Sequence, residues 1–254
     1  MNYKNQADAK RMTGVSYLGG IATSAKIAKG LKYDEMTYIL YLAPADRSGY
    51  EVCPMRSIEC TAACLNESGH NRIDIHNNTI NRSRITKTKL FFENRPFFVA
   101  WLRDEIAAAR RKAEAAGKKF SVRLNGTSDL SPEQFHLDGV NILEMFPDVQ
   151  FYDYTKVPKR FQLTKKYSNY DITYSYSGYN LEQAMQAIEQ GVRVAVVFEK
   201  VPSEFWGLPV IDGDLYDMRY IDPSRCVIGL KYKKVRNKID LSKSKFVISK
   251  ENIL

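Results

Sequence analysis

Short runs of β-branched and aromatic residues recur along the chain, each closing on a polar cluster and several leading into stretches with apolar residues at helical spacing. That alternation predicts β/α units. The first run is Thr37 to Pro44 (TYILYLAP), followed by the loop DRSGYEV and by helix-like sequence from about Ile58. Phe97 to Ala116 (FFVAWLRDEIAAARRKAEAA) carries an apolar stripe, a charged opposite face and a closing Gly117, which predicts an amphipathic helix. Phe120 to Leu124 (FSVRL) predicts the next strand and ends in NGTSD, after which Pro132 and Glu133 start another helix. Val149 to Tyr152 ends in DYTK, and Asp171 to Tyr174 ends in SYSGYN ahead of a helix from Leu181 to Gln190. Arg193 to Phe198 is nearly all apolar, as a strand covered on both faces requires. Pro209 to Ile211 leads into DGDLYD, and Cys226 to Lys231 forms the last strand.

Seven strands in this rhythm predict an α/β fold, a complete or partial (β/α) barrel of the TIM type. No repeat, low-complexity tract or linker divides the chain, so one domain over residues 1–254 is expected, with a core from about 13 to 233 and a basic tail over 234–254. A barrel gathers the residues just past its strands' carboxyl ends on one rim. Asn125, Thr127, Ser128 and Asp129, then Asp153, Thr155 and Lys156, then Ser175, Ser177 and Asn180, and finally Asp212, Asp214, Asp217 and Arg219 are expected at that mouth. Asp129, Asp153, Lys156 and Arg219 are the candidate catalytic groups, able to hold a proton, a carboxylate or a phosphate. Asn125, Thr127, Ser128, Ser175, Ser177, Asn180 and Asp217 are the candidate cofactor-binding residues. Plainer readings stand beside these: a helix cap near Asp129 and Ser131, an Asp153–Lys156 pair closing the barrel, and a buried Asp217–Arg219 pair.

The loop CPMRSIECTAAC sets Cys53, Cys60 and Cys64 at C-x6-C-x3-C spacing on the way into a helix. Three thiolates on one short segment suit three irons of a [4Fe-4S] cluster and leave the fourth open to a small ligand, with Arg56 and helix-start amides favouring the thiolate form. Structural zinc is the alternative, with Cys226, His70 or His76 as fourth ligand. Simple packing is the third reading, because Cys60 and Cys64 lie four apart on one helix face. Cys226 itself reads as a strand residue. DGDLYD does not match the glycine and glutamate positions of an EF-hand.

Length and composition narrow the class. A chain of 254 residues with 44% hydrophobic and 26% charged residues buries a full core without disulfides. No run approaches the roughly 20 apolar residues of a membrane span, and MNYKNQADAKRMTG lacks a signal-peptide core, so a cytoplasmic protein without a membrane partner is expected. Four cysteines, three of them in one loop, suit ligation in a reducing compartment better than disulfides. A net charge of +9 attracts nucleic acid, nucleotide or an acidic host-protein surface, and equally suits a solvated face. YDYTKVPKRFQLTKKYSNY interleaves cations with aromatics in the manner of a base-stacking surface.

Taken in order, CPMRSIECTAACL, SVRLNGTSDL, VQFYDYTKVPKR, SYSGYN and GDLYDMRYIDPSRCVIGLKYK resemble the bacteriophage "gene product 88" family over about Thr13 to Lys233. The resemblance implies a viral protein acting in the host cytoplasm. It assigns Cys53, Cys60 and Cys64 to the family cysteines, Arg123 and Asp129 to a strand-end pair, and Asp214, Asp217, Arg219 and Asp222 to the terminal motif. A three-cysteine loop after the first barrel strand is also similar to the radical S-adenosylmethionine (SAM) enzymes, although the spacing departs from their C-x3-C-x2-C. That likeness implies an iron-sulfur enzyme that binds SAM. Its rival is a non-enzymatic protein that binds nucleic acid or a host factor and keeps the cysteines as a structural or zinc site.

Overall fold

Side chains along a strand point alternately to its two faces, and here the two sets differ in chemistry. The computed structural model describes residues 2–21, 31–64, 79–233, 240 and 242–249. Its strands are β1 (Gly19–Gly20), β2 (Glu35–Leu40), β3 (Lys119–Arg123), β4 (His136–Leu137), β5 (Val140–Asn141), β6 (Gln150–Thr155), β7 (Tyr170–Ser175), β8 (Arg193–Phe198), β9 (Glu204–Phe205), β10 (Leu208–Asp212), β11 (Val227–Lys231) and β12 (Val247–Ile248). β4 and β5 form a small ribbon of their own, and the others make one sheet in the order β1-β2-β3-β6-β7-β8-β11-β10-β9. β2, β3, β6, β7, β8, β11 and β10 run parallel throughout, and these are the seven predicted strands.

The expected α/β fold of parallel strands is present, and among the described residues the sheet is not closed into a barrel. Closure needs the free edges of β2 and β10, and both are taken: β1 pairs antiparallel with β2, and β9 with β10.

One face is apolar. Tyr38, Val122, Phe151, Ile172, Val194 and Val227 share a core with Phe98, Trp101, Leu102 and Ile106 of the helix Arg95–Ala115. That helix starts where the Asn94 side chain accepts the Phe97 N–H and Pro96 fills the first turn; it stops before Gly117, whose φ is +62°. Each of these fully buried large side chains contributes roughly 1.5–3 kcal/mol. The helix Leu181–Glu189 covers the same face with Ala184, Ala187 and Ile188. The helix expected at Pro132 is a single 3-10 turn, Pro132–Gln134, that gives way to the β4–β5 ribbon.

The opposite face is polar: Thr37, Ser121, Arg123, Tyr152, Tyr154, Asp171, Thr173 and Arg193 point to it. Among the described residues no helix layer covers it. The segment that follows β10 crosses it instead, so DGDLYDMRYID is the second layer of the fold. Asp217 accepts two bonds from Arg123 Nη1, at 2.9 and 3.1 Å, and one from the Tyr152 hydroxyl at 3.1 Å. Arg219 is fully buried, lies over the Tyr216 ring and sits 3.2 Å from Asp222. Arg193 completes the arrangement, donating to Asp171 and to the Asp222 carbonyl. Asp217 and Arg219, expected at the mouth, are interior struts.

The expected tail also changes place. β11 pairs along one edge of β8 as far as Phe198, while β7 leaves the other edge at Ala195. β12 takes up that vacated edge, with Val247 beside Val197 and Ile248 beside Phe198. Residues 234–239 lie outside the described residues.

Asp217→Ala strands a buried guanidinium and is expected to cost about 3–5 kcal/mol in urea unfolding. Arg123→Met combined with Asp217→Leu removes both charges and should recover most of that loss.

Candidate functional site

At the carboxyl ends of the strands lies a cavity of about 360 Å3, within the roughly 300–1,000 Å3 of small-molecule sites. Cys53, Cys60 and Cys64 all line it. The loop that carries them is tied to itself before it is tied to the sheet. Ala45 turns with a φ of +56° and accepts the Val52 N–H, Glu51 accepts the Cys53 N–H, and Arg56 clamps Glu51, Asp46 and Thr61. Ser57 then caps the short helix Ile58–Ala62 by accepting the Cys60 N–H. Contacts that dock this unit include Asp129 N–H donating to the Val52 carbonyl at 2.7 Å, Ser57 Oγ to the Ser177 carbonyl at 3.3 Å and Cys53 Sγ to the Thr127 carbonyl at 3.8 Å.

Each thiol has a charged neighbour. Burial pushes Cys53 up to about 12, with the Ala45 backbone and Lys156 opposing the rise and Cys64 and Asp129 adding to it. Burial alone would lower Lys156, but Cys60, Asp129 and Cys53 outweigh it, and the ammonium, hydrogen-bonded to Cys60, is held above its ordinary value. Burial lowers Arg84, with Tyr41 and Cys64 acting against it; its guanidinium lies over the Tyr41 ring. Among the described residues, no group of three or more His, Cys, Asp and Glu is arranged to hold a single metal ion. His70 and His76 lie outside the described residues. Cys226 is packing, as expected: it is fully buried beside Ala195 and Ile228 and donates to the Pro223 carbonyl.

Asn125, Thr127, Ser128, Asp129, Lys156 and Ser175 line the cavity with the cysteines, whereas Asp153, Ser177, Asn180, Asp217 and Arg219 do not. Most of the lining residues are already committed. Asp129 accepts from Thr155 Oγ1 at 2.8 Å, Lys156 N–H at 2.7 Å and Arg160 Nη1 at 2.6 Å. Asp153 accepts from the backbone and side chain of Asn125, and from Arg160 Nη2 and the Tyr170 hydroxyl. One buried Arg160 therefore bridges both carboxylates, and it also bonds the Tyr170 hydroxyl. Asn125 Oδ1 accepts from Ser128 and Leu130, and Thr127 Oγ1 donates to the Leu42 carbonyl. Asn180 holds the loop after β7 by accepting Ser177 N–H and donating to the Tyr174 hydroxyl and the Ser175 carbonyl. These residues shape the rim, and Lys156 is the expected catalytic group whose charge stands among the thiols.

Glu59, beside Cys60, anchors the C-terminal segment. Its Oε2 accepts from Ser244 Oγ at 2.6 Å and from the N–H groups of Lys245 and Phe246, and its Oε1 from the Tyr179 hydroxyl. Burial alone would raise Glu59, but these donors overcome it and hold the carboxyl below its usual range. Phe246 and Val247 then close over Ala63 and Cys60.

The gene product 88 family model matches residues 9–250. The chain belongs to that family. The match begins ahead of the motifs read from the sequence and runs past them, so the segment Ser244–Phe246 that grips Glu59 and the strand β12 after it fall inside the family region. No curated protein and no solved structure matches the chain. No helix among the described residues is long and apolar enough to cross a membrane.

Arg160, Arg84 and Glu59 escaped the sequence reading because each acts on a distant segment. Arg160 lies in the stretch that interleaves cations with aromatics, where Tyr152, Phe161, Tyr167 and Tyr170 are buried and Tyr154 lines the cavity.

Glu59→Ala removes a charged acceptor whose bonds contribute about 1.5–3 kcal/mol each. Hydrogen exchange at Lys245 and Phe246 should quicken by about tenfold or more at neutral pH, where 1.4 kcal/mol is a factor of ten, with strand β6 unchanged. In metal-free protein Cys53 should resist iodoacetamide at pH 8 and react only once denaturant is added, because its thiol stays protonated while buried.

Proposed function

We propose that the chain is an iron-sulfur enzyme of the radical SAM type, with Cys53, Cys60 and Cys64 holding a [4Fe-4S] cluster. The observation that carries this is the convergence of three thiols from one loop on a single cavity at the carboxyl ends of a parallel sheet. A lone zinc ion needs its sulfurs within about 4 Å of one another, given Zn–S bonds of about 2.3 Å at tetrahedral angles. A cluster takes each thiolate on a different iron and tolerates a wider spread. The described residues hold no compact three-ligand group for a single ion, so the cluster reading rests on the cavity that the three thiols share.

Lys156, hydrogen-bonded to Cys60, and Arg84, near Cys64, set positive charge beside the sulfurs. When bound, the cluster supplies one-electron chemistry. The chain's own part is to orient and to shield: Ala195, Val197 and Leu230 give the cavity an apolar floor, Phe246 stands at its wall, and Ser175 with the Asn125–Asp129 loop gives SAM a polar side. The basic lining supports a substrate that is anionic, in the class of nucleotides, nucleic acid or an acidic host-protein segment.

Anaerobic reconstitution with iron and sulfide should yield brown protein with about four of each per chain. Cys53→Ala, Cys60→Ala or Cys64→Ala should each come out colourless yet folded. One zinc per chain, or unchanged iron in those variants, would reject the cluster.

A further inference from the structure

We infer that the cavity takes a small organic anion, its charged group held by Arg84, Arg123 and Lys156 and its apolar body resting on Ala195, Val197 and Leu230. The inference rests on the reading of the cavity as an active site and narrows its substrate.

Seven arginine and lysine side chains line the cavity against two carboxylates, Asp129 and Asp214. Both carboxylates are already engaged, Asp129 with Arg160 and Asp214 with Lys233 at 3.0 Å. The three cations named come from segments far apart in the chain: the helix Thr79–Glu93, strand β3 and the turn after β6. Folding brings these like charges together; Asp217 answers Arg123 through Nη1, and Asp129 and Cys60 lie near Lys156, yet the lining keeps an excess of positive charge that a further anion would help to neutralise. A cluster meets only part of this need, since its irons offset the thiolate charge.

Arg123 is disposed for such a role. Only its Nη1 carries the Asp217 pair, and its guanidinium lies over the Tyr154 ring, 4.6 Å from the centroid, on the cavity wall. Arg123 Nε and the Tyr154 hydroxyl are both buried without a hydrogen-bond partner, which marks this wall as unfinished.

Size selects a small molecule over a polymer. The cavity holds about 360 Å3, and Tyr152, Phe161, Tyr167 and Tyr170, which would have to line a stacking track for a single strand of nucleic acid, are buried.

The test is calorimetric titration with naphthyl phosphate, naphthoate and neutral naphthol, which share one apolar body, run on cluster-loaded protein whose iron and sulfide are assayed in the same samples. The phosphate or the carboxylate should bind at least about tenfold more tightly than naphthol, the scale of one charge-assisted hydrogen bond. The better anion of the two identifies the group. Arg84→Gln and Lys156→Gln should each remove about tenfold of that preference while leaving naphthol binding unchanged, with near-ultraviolet circular dichroism confirming the fold. Equal affinity for all three probes in fully loaded protein would overturn the anion site and leave the cluster standing. Displacement of naphthyl phosphate by a single-stranded oligonucleotide more effectively than by inorganic phosphate would overturn it in favour of a polymer. Anion preference in protein that never takes up iron would keep the site and sink the cluster.

Discussion

The mouth of the sheet is organised by one buried guanidinium. Arg160 is 2% exposed and reaches Asp129 in the loop after β3 and Asp153 on β6, at 2.6 and 3.2 Å. Two buried carboxylates so close would each be costly alone, and a shared cation is what makes both tolerable. Asp129 in turn fixes two backbone positions and one side chain: its own N–H holds the Val52 carbonyl ahead of Cys53, and its carboxylate holds the Lys156 N–H and the Thr155 hydroxyl. The cysteine loop and the lysine that faces it are therefore set by the same pair of charges, from the apolar side of the sheet.

The polar side follows a different logic. Barrels bury their inner face by closing; this sheet buries it with its own chain. A covering segment over Arg123, Tyr152 and Arg193 has to satisfy charges as well as fill space, which is why DGDLYDMRYID is rich in Asp, Arg and Tyr and poor in aliphatic residues. Several buried nitrogens there, including Arg219 Nε and Nη1, find no hydrogen-bond partner. The cost of such atoms is of the order of 1–3 kcal/mol each, offset in part for Arg219 Nε by the Asp222 carboxylate at 3.2 Å.

How much of this was legible in the sequence depends on range. Strands with a strong period or an apolar run, such as Arg193–Phe198, announce themselves locally, and so does the long helix Arg95–Ala115 with its cap and closing glycine. The clustering of polar strand ends at one mouth was legible for the same reason. Direction within that cluster was not read: Asp153 shares its parity with Phe151, so it points to the helix-covered face, while Tyr152 and Tyr154 point the other way. Counting by twos from Phe151 would have shown it. The covering segment and the C-terminal strand leave no local trace, since their partners are remote and their own patterns are short. Closure of the sheet is not seen among the described residues, where two-residue strands too brief to notice pair with β2 and β10.

The grip on Glu59 also has an order in time. Its partners Ser244, Lys245 and Phe246 lie 185 to 187 residues further along the chain. At about 5–20 residues per second, a ribosome needs roughly ten to forty seconds to reach them after Glu59 is made. During synthesis the three thiols thus spend that interval without their final cover. Any inorganic centre they take up has a window for entry that the last strand afterwards narrows.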